Sequence, residues 1–125
     1  MSGDRPCLFV IDDEPMMGAT LELTLSDEYD VRVFQSAERA LEALAAGEHA
    51  EVILCDLMMP QLSGMAFHEK LGSVRPDLVG KVLYMSGGAY TPESREFLAT
   101  SGARSISKPF DFDLLLATLR ELRES

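Results

Sequence analysis

The chain of 125 residues predicts one α/β domain, a doubly wound five-stranded parallel sheet with five helices. Three observations carry this. Short runs rich in Val, Ile, Leu and Phe alternate five times with segments of helical spacing. Three of those runs are almost wholly apolar, as strands covered on both faces must be. Four of them stop at chemically active groups: LFVI at Asp12-Asp13, VILC at Asp56, VLYM at Ser86, and ARSIS at Lys108-Pro109.

The first strand is expected over 7–11 and the first helix over 15–27, where Met16 and Met17 read as packing residues. Strand two, 30–34, alternates polar and apolar residues, which suits a sheet edge. Helix two, 37–47, carries Ala37, Ala40, Leu41 and Leu44 on one stripe, with Ser36 as N-cap and Gly47 as stop. Strand three spans 52–55 and helix three 64–72, where His68-Glu69 reads as a solvated face. Strand four spans 81–85. Thr91-Pro92 then opens helix four, 92–101, as a cap followed by proline in the first turn. Strand five spans 103–106. Leu115, Leu119 and Leu122 give helix five, 111–123, its inward stripe. Right-handed crossovers leave few ways to join such units. The predicted order is 2-1-3-4-5, flavodoxin-like, with a ligand crevice beyond the carboxyl ends of strands one and three. No linker or repeat divides the chain, so 1–125 reads as a single domain.

Composition narrows the function. Asp and Glu number 21 against 11 Lys and Arg, a net charge of −10, which repels phosphate backbones and argues against nucleic acid as a partner. No apolar run approaches the roughly 20 residues that span a membrane, and no signal peptide is visible, so no membrane insertion and a cytoplasmic location are expected. If their acids lie level, Cys7 and Cys55 sit four residues apart along neighbouring strands, about 13 Å and beyond disulfide reach. Two reduced thiols are expected. With only His49 and His68, a Cys/His metal cluster is excluded.

Asp12, Asp13 and Asp56 at one crevice raise each other's pKa or recruit a cation. A donor set of oxygens alone suits Mg²⁺. With Ser86 and Lys108 added, the site fits a phosphoryl group, and Asp56, alone on the middle strand, is the candidate nucleophile. Singly, each residue has an ordinary explanation: Asp as a helix cap or turn, Ser86 as a turn residue, Lys108 as a solvated lysine. Their joint placement at four strand ends is what points to chemistry.

Over its full length the chain resembles the response-regulator receiver domain of two-component signalling, through IDDEP (11–15), CDLMMPQLSG (55–64), YMSG (84–87) and SKPF (107–110). The resemblance implies that Asp56 accepts a phosphoryl group from a phosphohistidine on a histidine kinase or histidine phosphotransfer protein. It implies Mg²⁺ on Asp13, Asp56 and the Met58 carbonyl, with Asp12 acting mainly through a water. It assigns Ser86 and Lys108 to phosphoryl oxygens, makes Lys108-Pro109 a cis peptide bond, and leaves homodimerisation open. No independent enzyme is expected beyond self-phosphorylation and autodephosphorylation. Segments 55–64 and 107–110 also look like receivers joined to sensor histidine kinases. One position departs from the pattern: Ser105 stands where receivers usually carry a switch aromatic. Tyr90, after Gly87-Gly88, is a candidate to supply part of the moving surface.

Three rivals remain at this level. A haloacid-dehalogenase-like phosphatase also uses Asp, Ser/Thr, Lys and Mg²⁺, but wants Asp-x-Asp where this chain has Asp12-Asp13-Glu14. A flavin-binding module needs a hydroxyl- and glycine-rich first loop, and the acids here would repel its phosphate. A degenerate receiver serving as an interaction scaffold would have lost the acids and lysine that this chain keeps.

Overall fold

The structure, a computed structural model, describes residues 5–59, 62–87, 91–108 and 110–124. The strands β1 (Cys7–Ile11), β2 (Asp30–Phe34), β3 (Val52–Asp56), β4 (Val82–Ser86) and β5 (Arg104–Ser107) pair in parallel in the order β2-β1-β3-β4-β5. The order and the edge position of strand two are those expected from the sequence. β3 and β4 are buried throughout, whereas at the two edges β5 is mostly exposed and β2 alternates exposed residues with the half-buried Val31, Val33 and Phe34.

Five α-helices follow the strands: α1 (Pro15–Leu25), α2 (Ala37–Ala45), α3 (Gly64–Val74), α4 (Pro92–Ser101) and α5 (Phe112–Glu124). Strand alternation sends the sheet's side chains to two cores. Phe9, Ile11, Ile53, Cys55 and Tyr84 face α2, α3 and α4. Leu8, Val10, Leu54, Leu83 and Met85 face α1 and α5, where Leu115, Leu119 and Leu122 are buried as the stripe predicts. Ser36, Ser63 and Thr91 cap α2, α3 and α4 by accepting a backbone N–H three residues on. Gly47 adopts φ +99° just past α2, a conformation that favours glycine.

Three expectations need correction. A sixth helical element, a 3-10 turn over Pro76–Lys81, follows α3. Pro76 disfavours the α conformation at Arg75 and so ends the longer helix there. The turn also takes up Lys81, so β4 begins at Val82. Met16 is 79% exposed rather than packed, while its neighbour Met17 packs on the α1 core. His68 is not on a solvated face: its ring lies 5.0 Å from that of Phe97 and 6.0 Å from that of Tyr84.

Candidate functional site

Strand register sets the site. Ile11 pairs with Cys55, which makes Asp12 level with Asp56 on the neighbouring strand, and Asp56 pairs with Met85. Ser86 closes β4 opposite Ser107, and Lys108 donates its N–H to the Ser86 carbonyl at 2.8 Å, extending that ladder by one residue. Four candidate residues, Asp12, Asp56, Ser86 and Lys108, therefore share one edge of the sheet from four strand ends.

The two inner acids are held in the same way. Asp12 Oδ1 accepts the N–H of Glu14 at 2.9 Å, and Asp56 Oδ1 accepts the N–H of Met58 at 3.1 Å. Each is a local turn in which an aspartate bonds backbone two residues on. This fixes both carboxylates, leaving Oδ2 of each turned to Lys108 Nζ, 3.4 Å from both. Asp13 is half-buried, and Asp12, Asp13 and Asp56 each offer an oxygen within 4.8 Å of the others. Burial pushes the Asp56 carboxyl above its ordinary value, and Asp12 adds to the rise. The Met58 N–H and the Lys108 ammonium pull the other way. Burial works to lower the lysine, but Asp56 and Asp12 outweigh it and hold the ammonium above its ordinary value.

The fold thus brings together Asp12, Asp13, Asp56, Ser86 and Lys108. Met58 is in reach through its backbone, its side chain remaining 45% exposed. Ser105 is not at the site: it lies exposed on β5, paired in register with Tyr84. Tyr90, Gly88 and Pro109 lie outside the described residues, and with them the proposed moving surface and the expected cis bond. Sequence reading overlooked Gly64. A Cβ there would lie 2.8 Å from Leu57 Cα and 3.0 Å from the Asp56 carbonyl oxygen, so α3 approaches the loop after Asp56 through a position that needs no side chain. The Gly64 N–H also donates to the Leu57 carbonyl at 2.9 Å, closing that loop.

A family model described as the response regulator receiver domain matches residues 8–120. The chain belongs to the response-regulator receiver family. Phosphoryl acceptance is the function of that family, and neither the phosphatase nor the scaffold alternative is favoured. The hydrogenase transcriptional regulatory protein HoxA of Cupriavidus necator is 32% identical over 129 residues, covering the whole of this chain and 26% of HoxA. The sensor kinase CckA of Brucella abortus is 26% identical over 125 residues, covering 99% of this chain and 13% of CckA. The receiver therefore spans about a quarter or less of either protein. Among solved structures, FixJ-N superposes with a TM-score of 0.82 at 25% identity, covering 95% of this chain and 94% of that one. Receivers of this family bind Mg²⁺ and work with histidine kinases or phosphotransfer proteins. Among the described residues, no helix is long and apolar enough to cross a membrane.

Proposed function

We propose that this receiver, as one unit over 1–125, takes a phosphoryl group onto Asp56 from the phosphohistidine of a histidine kinase or histidine phosphotransfer protein. The observation that carries the assignment is the lysine bridge, Lys108 Nζ 3.4 Å from Oδ2 of both Asp12 and Asp56. With Oδ1 held by Met58 N–H, Asp56 Oδ2, the oxygen that faces Lys108, is the one that attacks phosphorus. A new O–P bond forms as the P–N bond breaks, and the donor imidazole leaves with the electron pair, taking up a proton. Lys108 then pairs with one phosphoryl oxygen, and the Ser86 hydroxyl donates to another.

The all-oxygen donor set fits Mg²⁺. Asp13, Asp56 and the Met58 carbonyl would hold the ion, with Asp12 behind a water. Bound there, it would neutralise charge on the transferring group. Two free cysteines suit a reducing, cytoplasmic setting.

Incubation with acetyl phosphate and Mg²⁺, followed by intact mass, tests this. The expected result is a gain of one phosphoryl group, abolished by chelation and by Asp56→Asn. An unchanged mass in the wild type overturns the assignment.

A further inference from the structure

Ser105 leaves the domain without an aromatic side chain at the β5 position described above, yet an aromatic stands directly beside it. Tyr84 pairs with Ser105 across the β4–β5 ladder. It is fully buried among the residues facing α2, α3 and α4. Its hydroxyl lies 3.1 Å from His68 Nδ1 on α3. Phe97 of α4 meets both rings edge-on, 5.0 Å from His68 at 81° and 5.5 Å from Tyr84 at 89°. Three elements, α3, β4 and α4, thus converge on one three-ring cluster.

The cluster is tied to the site by covalent proximity. Tyr84 lies two residues before Ser86, on the same face of the same strand. α4, which carries Phe97, begins six residues after Ser86. A pull on Ser86 therefore acts on Tyr84 along β4, and through the Tyr84 ring on Phe97 of α4. Edge-to-face rings at these distances hold a specific mutual geometry, and tightly packed groups switch between arrangements rather than deform smoothly. Burial lowers the pKa of His68 and raises that of Tyr84, so the pair is a neutral hydrogen bond near pH 7.

We propose that the Tyr84–His68–Phe97 cluster is the element that repacks when the phosphoryl group is captured, carrying the change from Ser86 to the α3–α4 surface in place of an aromatic at Ser105. The proposal rests on Asp56 being the acceptor.

The chain supplies its own control for a test. It has two histidines, and His49 is 63% exposed, just before β3, at the opposite end of that strand from Asp56. Ring resonances of both are recorded by NMR before and after addition of Mg²⁺ and acetyl phosphate, with intact mass measured on the same sample. The expected result is a gain of one phosphoryl group, a shift of the His68 signals and no shift of His49. In Tyr84→Phe and in Phe97→Leu, phosphoryl gain persists while the His68 shift falls by more than half. The Phe97 variant keeps an apolar group in place should the Tyr84 variant fold poorly. A phosphorylated sample with unmoved His68 signals overturns the inference and leaves Asp56 as acceptor. So does an undiminished His68 shift in both variants. Absence of any mass gain overturns the acceptor assignment itself.

Discussion

Gly64→Ala is a single-methyl test of how tightly the loop after Asp56 is held. The added Cβ would sit 2.8 Å from Leu57 Cα, 3.0 Å from the Asp56 carbonyl oxygen and 3.2 Å from Leu57 Cδ1. Two of these three atoms are backbone, so the clash is not relieved by a rotamer change. Overpacking of this kind costs about 1–3 kcal/mol. The helix gains little in return, because Gly64 is its first residue and the Gly-to-Ala benefit of ~1 kcal/mol belongs to helix interiors. A net loss of about 1–2 kcal/mol is expected, which for a domain of this size lowers Tm by roughly 4–8 °C. The loop must also move by a fraction of an ångström where it carries Met58, and phosphorylation by acetyl phosphate should slow on the order of tenfold. Gly72 in the same helix is the control. A Cβ there meets only Val79 Cγ2 at 4.0 Å, and Gly72→Ala should stabilise by about 0.5–1 kcal/mol. Thermal melts followed by circular dichroism, with phosphoryl uptake followed by intact mass, read both effects. A Gly64→Ala protein that melts with the wild type and takes up phosphoryl at its rate refutes the claim that close approach fixes this loop.

Other outcomes follow from the same geometry. Met58, two positions after Asp56, offers no acid or amide to position a hydrolytic water. The phosphoryl group should be long-lived, and Met58→Asn should shorten its half-life about tenfold, ~1.4 kcal/mol of barrier, when decay is followed by mass. Lys108→Met removes a cation 3.4 Å from two carboxylates, so Mg²⁺ should bind on the order of tenfold more tightly by calorimetry while phosphoryl uptake falls. A hydrogen bond from Arg120 is the main reason Glu28 lies below its ordinary pKa, with the charges of Arg120 and Arg123 adding to it. A carboxyl lowered by folding contributes stability above its unfolded pKa and loses it as pH falls through the folded value. Glu28→Gln should therefore cost about 0.5–1 kcal/mol at pH 7 in urea titrations and flatten the acid side of the stability profile.

Much of the site was legible because it is written at strand ends. A parallel sheet aligns those ends, so Asp12, Asp56, Ser86 and Lys108 could be placed together from pattern alone. The helices with a clear apolar stripe and a capping residue, such as α2 behind Ser36, were legible for the same local reasons. What escaped depends on contacts that sequence spacing does not encode. Glu28 meets Arg120 across 92 positions, and His68 turns inward because Tyr84 and Phe97 arrive from two other elements. Met16 and Met17 are equally apolar, and only the rotation of α1 exposes the first and packs the second. The 3-10 turn at Pro76 left a cue, since proline after a helical run marks a stop, but its six-residue length did not follow from that cue.

The residue just before Asp56 has a chemical consequence of its own. An aspartyl phosphate is a mixed anhydride, and a thiolate beside it would attack the acyl carbon, form a thioester and expel phosphate. Cys55 adjoins Asp56 in the chain, yet strand alternation sends its side chain to the opposite face of the sheet. There its thiol donates to the Asp56 carbonyl oxygen at 3.4 Å, fully buried, and burial holds its pKa well above the ordinary value. The pleat therefore keeps a soft nucleophile away from the acyl phosphate proposed for the adjacent residue.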